Sequence, residues 1–233
     1  MPNWVKTIVK TKPKVLNDIL KNYWDKDSLS FDKIIPMPKD LDIESGGRGE
    51  EGLMYLFVES KDDLLKLKIN RAYRELNPFH TDIYRESRFG EIEDNFEKYT
   101  NDPEFSKSIE LGKKYISNFE KYGHSTWYNW RVENWGTKWD IDESPHNEDT
   151  IIFKTAWDFA GEIIKELSKK YPNEKFICKF ADEGIKENSG IVDIKNGEIE
   201  SERYNLSMDE IEDIWGTYIE EIVQEQEEIE IDI

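Results

Sequence analysis

The chain has 233 residues, a formal net charge of −19, and a composition of 36% charged, 37% hydrophobic and 13% aromatic residues. That aromatic content excludes a disordered chain, and the length suffices for one large domain or two small ones. No apolar run approaches the roughly 20 residues of a membrane span, the N-terminus lacks the apolar core of a secretion signal, and the single cysteine, Cys178, has no internal disulfide partner; a cytoplasmic protein without membrane association is expected.

In chain order, residues 3–10 alternate as a strand, and Val15, Leu16, Ile19, Leu20 and Tyr23 recur at helical spacing. Residues 28–35 read as a second strand stopped by Pro36 and Pro38. Gly46, Gly47, Gly49 and Gly52 follow with no Gly-Lys-Ser/Thr after them, so a flexible loop is expected rather than a phosphate cradle. Residues 61–124 are mainly helical, with Asp102-Pro103 as an N-cap pair and Phe105, Ile109, Ile116 and Phe119 on one stripe up to Gly123.

Four tryptophans, Trp127, Trp130, Trp135 and Trp139, then fall within thirteen residues. Trp127, Trp130, Arg131 and Asn134 are spaced for adjoining positions on one helix, Gly136 stands where a residue of positive φ ends it, and residues 137–142 are expected to begin a strand. Residues 151–157 read as a strand, Asp158 as an N-cap, and Phe159, Ile163 and Leu167 as the stripe of a helix ending before Pro172. Phe176, Cys178 and Phe180 alternate as a strand. Asn196-Gly197 predicts a two-residue hairpin pairing Lys195 with Glu198 and Ile194 with Ile199. Ser207 and Glu210 form a capping box for a long acidic helix with Ile211, Ile214, Trp215, Tyr218 and Ile222 on its apolar face.

This order predicts an α+β fold, a ferredoxin-like βαββαβ sandwich with a helical insertion and a C-terminal hairpin plus acidic helix. The expected divisions are 1–40 with 125–205 for the sandwich, 41–124 for the insertion, and 206–233 for the acidic helix and tail.

Met1-Pro2-Asn3-Trp4, Ile34-Ile35-Pro36-Met37-Pro38, the block from Trp127 to Asp140, and Thr155-Ala156-Trp157 occur in an order that resembles YubB-like proteins of bacteriophages and plasmids. The resemblance spans about the first 185 residues. It departs at Val5, where a cysteine is expected, and at Phe159-Ala160, where prolines are common. It implies a ferredoxin-like domain of mobile-element origin in a bacterial host, and leaves the activity open.

Two functional readings follow. Residues 198–233 hold fourteen acids against the single base Arg203, a balance of −13, while the first 197 residues carry −6. Such a field opposes a phosphate backbone, so direct DNA or RNA binding is not expected and a host protein with a basic surface is. Asp209, Glu210, Glu212, Asp213, Glu220, Glu221 and Glu225 are the expected contacts of a non-catalytic accessory protein, a nucleic-acid mimic that inhibits a defence nuclease being its sharpest form. The second reading is a small-ligand or nucleotide module built on Arg131, Asn134, Trp135, Lys138 and Asp140, set against a purely structural role for the tryptophans.

His80, His124 and His146 lie in unrelated contexts, Cys178 reads as a buried inert thiol, and no carboxylate pair takes acid and base roles. Asp140, Asp142, Glu143, His146, Glu148 and Asp149 lack the glycine and spacing of a calcium loop and read as a solvated loop. No catalytic residue, metal or cofactor is assigned; a hydrolase is the least favoured reading, and the oligomeric state is not legible.

Overall fold

Trp4–Lys10 (β1) is extended because Val5, Thr7 and Val9 alternate with Trp4, Lys6 and Ile8, and this strand lies inside a five-stranded antiparallel sheet. Pro13–Tyr23 (α1) follows, with Pro13 in its first turn and Val15, Leu16 and Ile19 buried. Trp24–Asp25 (β2) and Ser28–Leu29 (β3) pair with each other in a separate two-stranded sheet, and Ser30 caps the single-turn helix Phe31–Ile34 (α2), its Oγ accepting from Lys33 N at 3.3 Å. The strand expected over 28–35 is thus replaced, because Ser30 offers the backbone a capped helical turn instead of a ladder.

The computed structural model describes residues 3–184 and 188–216. The chain divides into two units, Met1–Pro36 with Arg131–Ile233, and Met37–Trp130. The second unit contains helices Gly47–Glu59 (α3), Asp63–Leu76 (α4), Asp82–Asp94 (α5), Phe96–Thr100 (α6) and Phe105–Tyr122 (α7), closed around Leu53, Tyr55, Ile69, Tyr73, Phe105 and Tyr115. Its glycine run is not a flexible loop. Gly47, Gly49 and Gly52 begin α3, where a Cβ on Gly49 would meet the Tyr115 ring at 2.2 Å and one on Gly52 would meet the Ser108 carbonyl oxygen at 1.8 Å. The glycines are there so that α3 and α7 can approach closely, Gly112 of α7 facing Gly52.

Trp127–Trp135 (α8) ends at Gly136, whose φ is 77°, as its spacing predicts. The strand expected from 137 does not form. Thr137 is instead buried and its Oγ1 donates to Ala156 O at 3.1 Å, so one side chain substitutes for a ladder at the strand end. Thr150–Ala156 (β4) precedes Gly161–Lys170 (α9), then come Lys175–Asp182 (β5), Ser189–Lys195 (β6), Glu198–Tyr204 (β7) and Met208–Trp215 (α10). Asp158 is not the cap of α9. The chain takes positive φ at Trp157 (75°) and Ala160 (54°) first, which lets Phe159 stack on Phe180 with centroids 4.2 Å apart.

The sheet order is β4-β1-β5-β6-β7, every neighbour antiparallel. β4, α9 and β5 form a split βαβ unit with β1 between the two strands. The fold is α+β, as the element order predicts, with the sheet built from β1 and the four C-terminal strands rather than from a strand after α1. One face carries Val5, Val9, Phe153, Cys178, Phe180 and Val192, with Phe159 and α2's Phe31 packed on it. The other carries Ile8, Ile152 and Ala181 against Ile211 and Ile214 of α10. The β6–β7 hairpin has the predicted pairing, Ile194 with Ile199 and Lys195 with Glu198, and both Asn196 and Gly197 have positive φ.

Gly52→Ala is expected to lower stability by about 3 kcal/mol or more, since backbone must move to relieve the contact, whereas Gly90→Ala, with open space around it, should gain up to about 1 kcal/mol. Urea unfolding of the two variants checks the pair.

Candidate functional site

The tryptophan block separates into an interior part and an open part. Trp135 is fully buried; its Nε1 donates to Ile35 O at 2.9 Å, its ring meets Phe31 edge-on at 6.0 Å, and the Arg131 guanidinium lies 4.8 Å from its centroid. Asn134, beside it on α8, is half-buried. Asp140 accepts from Phe31 N (2.9 Å), Ile141 N (3.0 Å) and Ser30 Oγ (3.3 Å), which makes it a second cap for α2. Burial raises its carboxyl pKa, outweighing the backbone hydrogen bonds that favour the charged form. Trp135 and Asp140 therefore fasten residues 30–35 to the turn after α8, and Trp135 presents no ring face to solvent. Trp130 is also buried and Trp127 half-buried.

Trp139 and Trp157 are 38% and 42% exposed, and the Lys138 ammonium sits between them, 3.9 Å and 4.1 Å from the two ring centroids. Trp4 lies 5.9 Å from Trp139. Trp4 and Trp139, but not Trp157, border a cleft of about 950 Å³, whose lining also includes Trp215, Asp142, Glu143, Lys154 and Glu183. Glu183 is positioned by the start of β1, its Oε1 accepting from Trp4 N at 3.1 Å. Of the residues expected to bind a ligand, Asp140 lines this cleft; Arg131, Asn134, Trp135 and Lys138 do not.

The acidic candidates are dispersed. Asp209, Glu212 and Asp213 are exposed on α10, while Glu210 is held by Ser207 in the capping box and by Arg203 at 2.6 Å, which pulls its carboxyl down to about 2. Glu220, Glu221, Glu225 and the apolar positions Tyr218 and Ile222 lie outside the described residues. In the expected solvated loop, Asp149 pairs with Lys10 at 2.8 Å and His146 packs edge-on to Trp24. Among the described residues no cluster of metal-ligating side chains is present. Cys178 is buried and burial pushes its thiol far up, leaving it inert.

Lys6 is the residue that sequence reasoning passed over. It is fully buried, its Nζ has no hydrogen-bond partner among the described residues, and it stands directly opposite Lys154 on β4 and Ala181 on β5. Burial, with the Lys154 charge second, lowers its pKa to about 8. The available signal was a lysine in the middle of a strand otherwise made of inward-facing residues. Trp215 reaches both neighbouring strands, its Nε1 donating to Asp182 O at 3.0 Å while the Lys154 ammonium lies 5.4 Å from its ring centroid.

Sheet, flanking helices and cleft together define an α+β protein with a ferredoxin-like part. Residues 134–230 match a family described as the ferredoxin-like domain in Api92-like protein. Over 89% of this chain and 99% of the other, the protein is similar at 9% identity and a TM-score of 0.39 to the crystal structure of a protein api92 from Yersinia pseudotuberculosis. No curated protein matches the chain. Among the described residues no helix is long and apolar enough to cross a membrane.

Two outcomes check this geometry. Asp140→Ala should lower stability by about 1–2 kcal/mol through loss of the α2 cap, read as a fall in thermal midpoint with the sheet's circular dichroism retained. Lys6 has a folded pKa below its ordinary 10.5, so the unfolded chain holds more protons between about pH 8 and 10.5 and stability rises with pH across that window. Lys6→Met should therefore gain on the order of 3 kcal/mol at pH 7, and denaturant titrations should show the gain shrinking toward pH 10.5.

Proposed function

We propose that the protein is a non-catalytic binding module that takes a cationic group of a basic partner protein into the cleft beside β4. The observation that carries the reading is the convergence of three indoles, Trp4, Trp139 and Trp215, with four acids, Asp140, Asp142, Glu143 and Glu183, beside the cation Lys154, around about 950 Å³ of open space. An indole face attracts an ammonium or guanidinium through its quadrupole, and nearby carboxylates strengthen the attraction. Lys138, lodged between Trp139 and Trp157, shows the same preference within the chain. The exposed acids Asp209, Glu212 and Asp213 sit on the helix that supplies Trp215, and a net charge of −19 steers a basic partner toward the molecule.

Within this reading the finer proposal is a mobile-element accessory role, with the carboxylates occupying the nucleic-acid groove of a host nuclease. Its support is the charge distribution and the resemblance of the short sequence blocks. The nucleotide reading is disfavoured physically, because the carboxylates oppose phosphate and the Trp135 ring has no accessible face.

Titration with an arginine-rich peptide should quench tryptophan fluorescence, and the affinity should fall steeply between low and high salt. Glu143→Gln together with Glu183→Gln should weaken it about tenfold without changing stability, consistent with about 1.4 kcal/mol lost at the site. Quenching by a nucleotide and not by the peptide would refute the proposal.

A further inference from the structure

The cleft has a concealed floor. β4, β1 and β5 lie side by side, and Lys154, Lys6 and Ala181 form one cross-strand row on the face that α10 covers. Trp215 donates to the β5 backbone one residue past that row, at Asp182 O, and has the Lys154 ammonium 5.4 Å from its ring centroid. β1, with Lys6, lies between those two anchors. The Lys6 Nζ is wholly buried and, among the described residues, without a hydrogen-bond partner.

A lysine at this position is expensive as packing. Methionine or leucine would fill the same space without desolvating an amine or setting it opposite a second cation, and like charges directly opposed across a sheet are destabilising. The arrangement does suit one kind of chemistry. An amine in apolar surroundings next to another cation keeps its lone pair available near neutral pH, the condition for nucleophilic attack on a carbonyl.

We propose that Lys6 is a nucleophilic amine, reached through the cleft when Trp215 swings aside, that condenses with an uncharged aromatic aldehyde. The indoles Trp4, Trp139 and Trp215 offer flat apolar faces to an aromatic ring, and Asp142, Glu143 and Glu183 discriminate against anionic carbonyl compounds. The neutral Nζ attacks the carbonyl carbon, its two N–H protons pass to the carbonyl oxygen, the C–O bond breaks to release water, and a C=N bond joins Lys6 to the ligand. Opening requires displacement of the Trp215 side chain at the end of an eight-residue helix, where among the described residues it is held by its hydrogen bond to Asp182 O, by the Lys154 cation–π contact and by packing at the margin of the Ile8–Ile152 cluster. The sheet itself need not move.

The charged groups on the elements packed around Lys6 are Lys10 on β1 itself, Lys154 on β4, Lys175, Lys179, Asp182 and Glu183 on and just after β5, and Asp209, Glu210, Glu212 and Asp213 on α10. Glu210 and Asp213 line, with Lys10 and Lys179, a separate cavity of about 330 Å³. Lys154 is the neighbour whose charge bears on the amine.

The test is reductive trapping of the full chain with benzaldehyde and cyanoborohydride, followed by peptide mass mapping. The hydride reduces the imine to a stable benzylamine, so every modified lysine is read directly. Lys6 should be modified about tenfold faster than the exposed lysines at pH 8, since an alkylamine surrounded by water is almost fully protonated there. Lys154→Met should raise the pH at which half-maximal labelling occurs. Trp215→Ala and the milder Trp215→Phe should speed labelling of Lys6 alone, with circular dichroism confirming that each is folded. Labelling of Lys6 no faster than that of exposed lysines, in the native chain and in both Trp215 variants, would overturn the proposal. The readout needs no peptide, so it fails or succeeds separately from capture of a basic partner.

Discussion

Everything in the sheet depends on β1 being wedged between two strands that lie about 150 and 170 residues further along the chain. Val5, Thr7 and Val9 meet Thr155, Phe153 and Ile151 on one side and Asp182, Phe180 and Cys178 on the other. With no partner of similar length nearby, the N-terminal strand is bonded on both edges only when β4 and β5 are in place. The split βαβ unit, the face left for α10 and the position of the cleft all follow from that insertion. Pairing of such sequence separation closes long loops before it returns any stability, so folding is slow relative to a helical chain of equal length.

The same insertion determines the electrostatics of the site. A lysine on a middle strand cannot reach water past both neighbours, and alternation directs Lys6 to the α10 face. Lys154, one strand toward the edge, is exposed and rests on Trp215. Two lysines in one row thus have different environments because one strand is internal and the other is an edge. The carboxylates of the cleft come from segments outside the ladder, Asp142 and Glu143 before β4 and Glu183 after β5, where solvent supports their charge.

The tryptophan block shows how one composition serves two purposes. Trp135 and Asp140 are used up inside, bonding to Ile35 and to the first residues of α2. Trp139 and Trp157 turn outward around Lys138. A residue type announces neither fate; the turn at Gly136 does, because it reverses the chain between Trp135 and Trp139. Readings that depend on local chemistry were accurate for the same reason. Asn196-Gly197 adopts positive φ at both positions, and Ser207 and Glu210 bond reciprocally, because a two-residue turn and a capping box are satisfied by the atoms of the motif itself. Readings that needed a partner went astray at 28–35, at 137–142, at the glycines from 46 to 52 and at Asp158. In each, a distant group decided the outcome: Asp140 for α2, Ala156 for Thr137, the Ser108 carbonyl and Tyr115 for the glycines, Phe180 for the turn that delays α9.

What the amino-acid order determined alone was therefore the α+β class, most element positions, the hairpin register, the inert cysteine and the acidic balance, since periodicity, turn chemistry and net charge are properties of neighbours along the chain. Only the tertiary structure decided which strand lies between which, that Trp135 is interior, and that Lys6 is buried with no hydrogen-bond partner for its Nζ among the described residues. Those facts rest on the desolvation and pairing of groups far apart in sequence, and burial is a property of what surrounds a side chain rather than of the side chain itself.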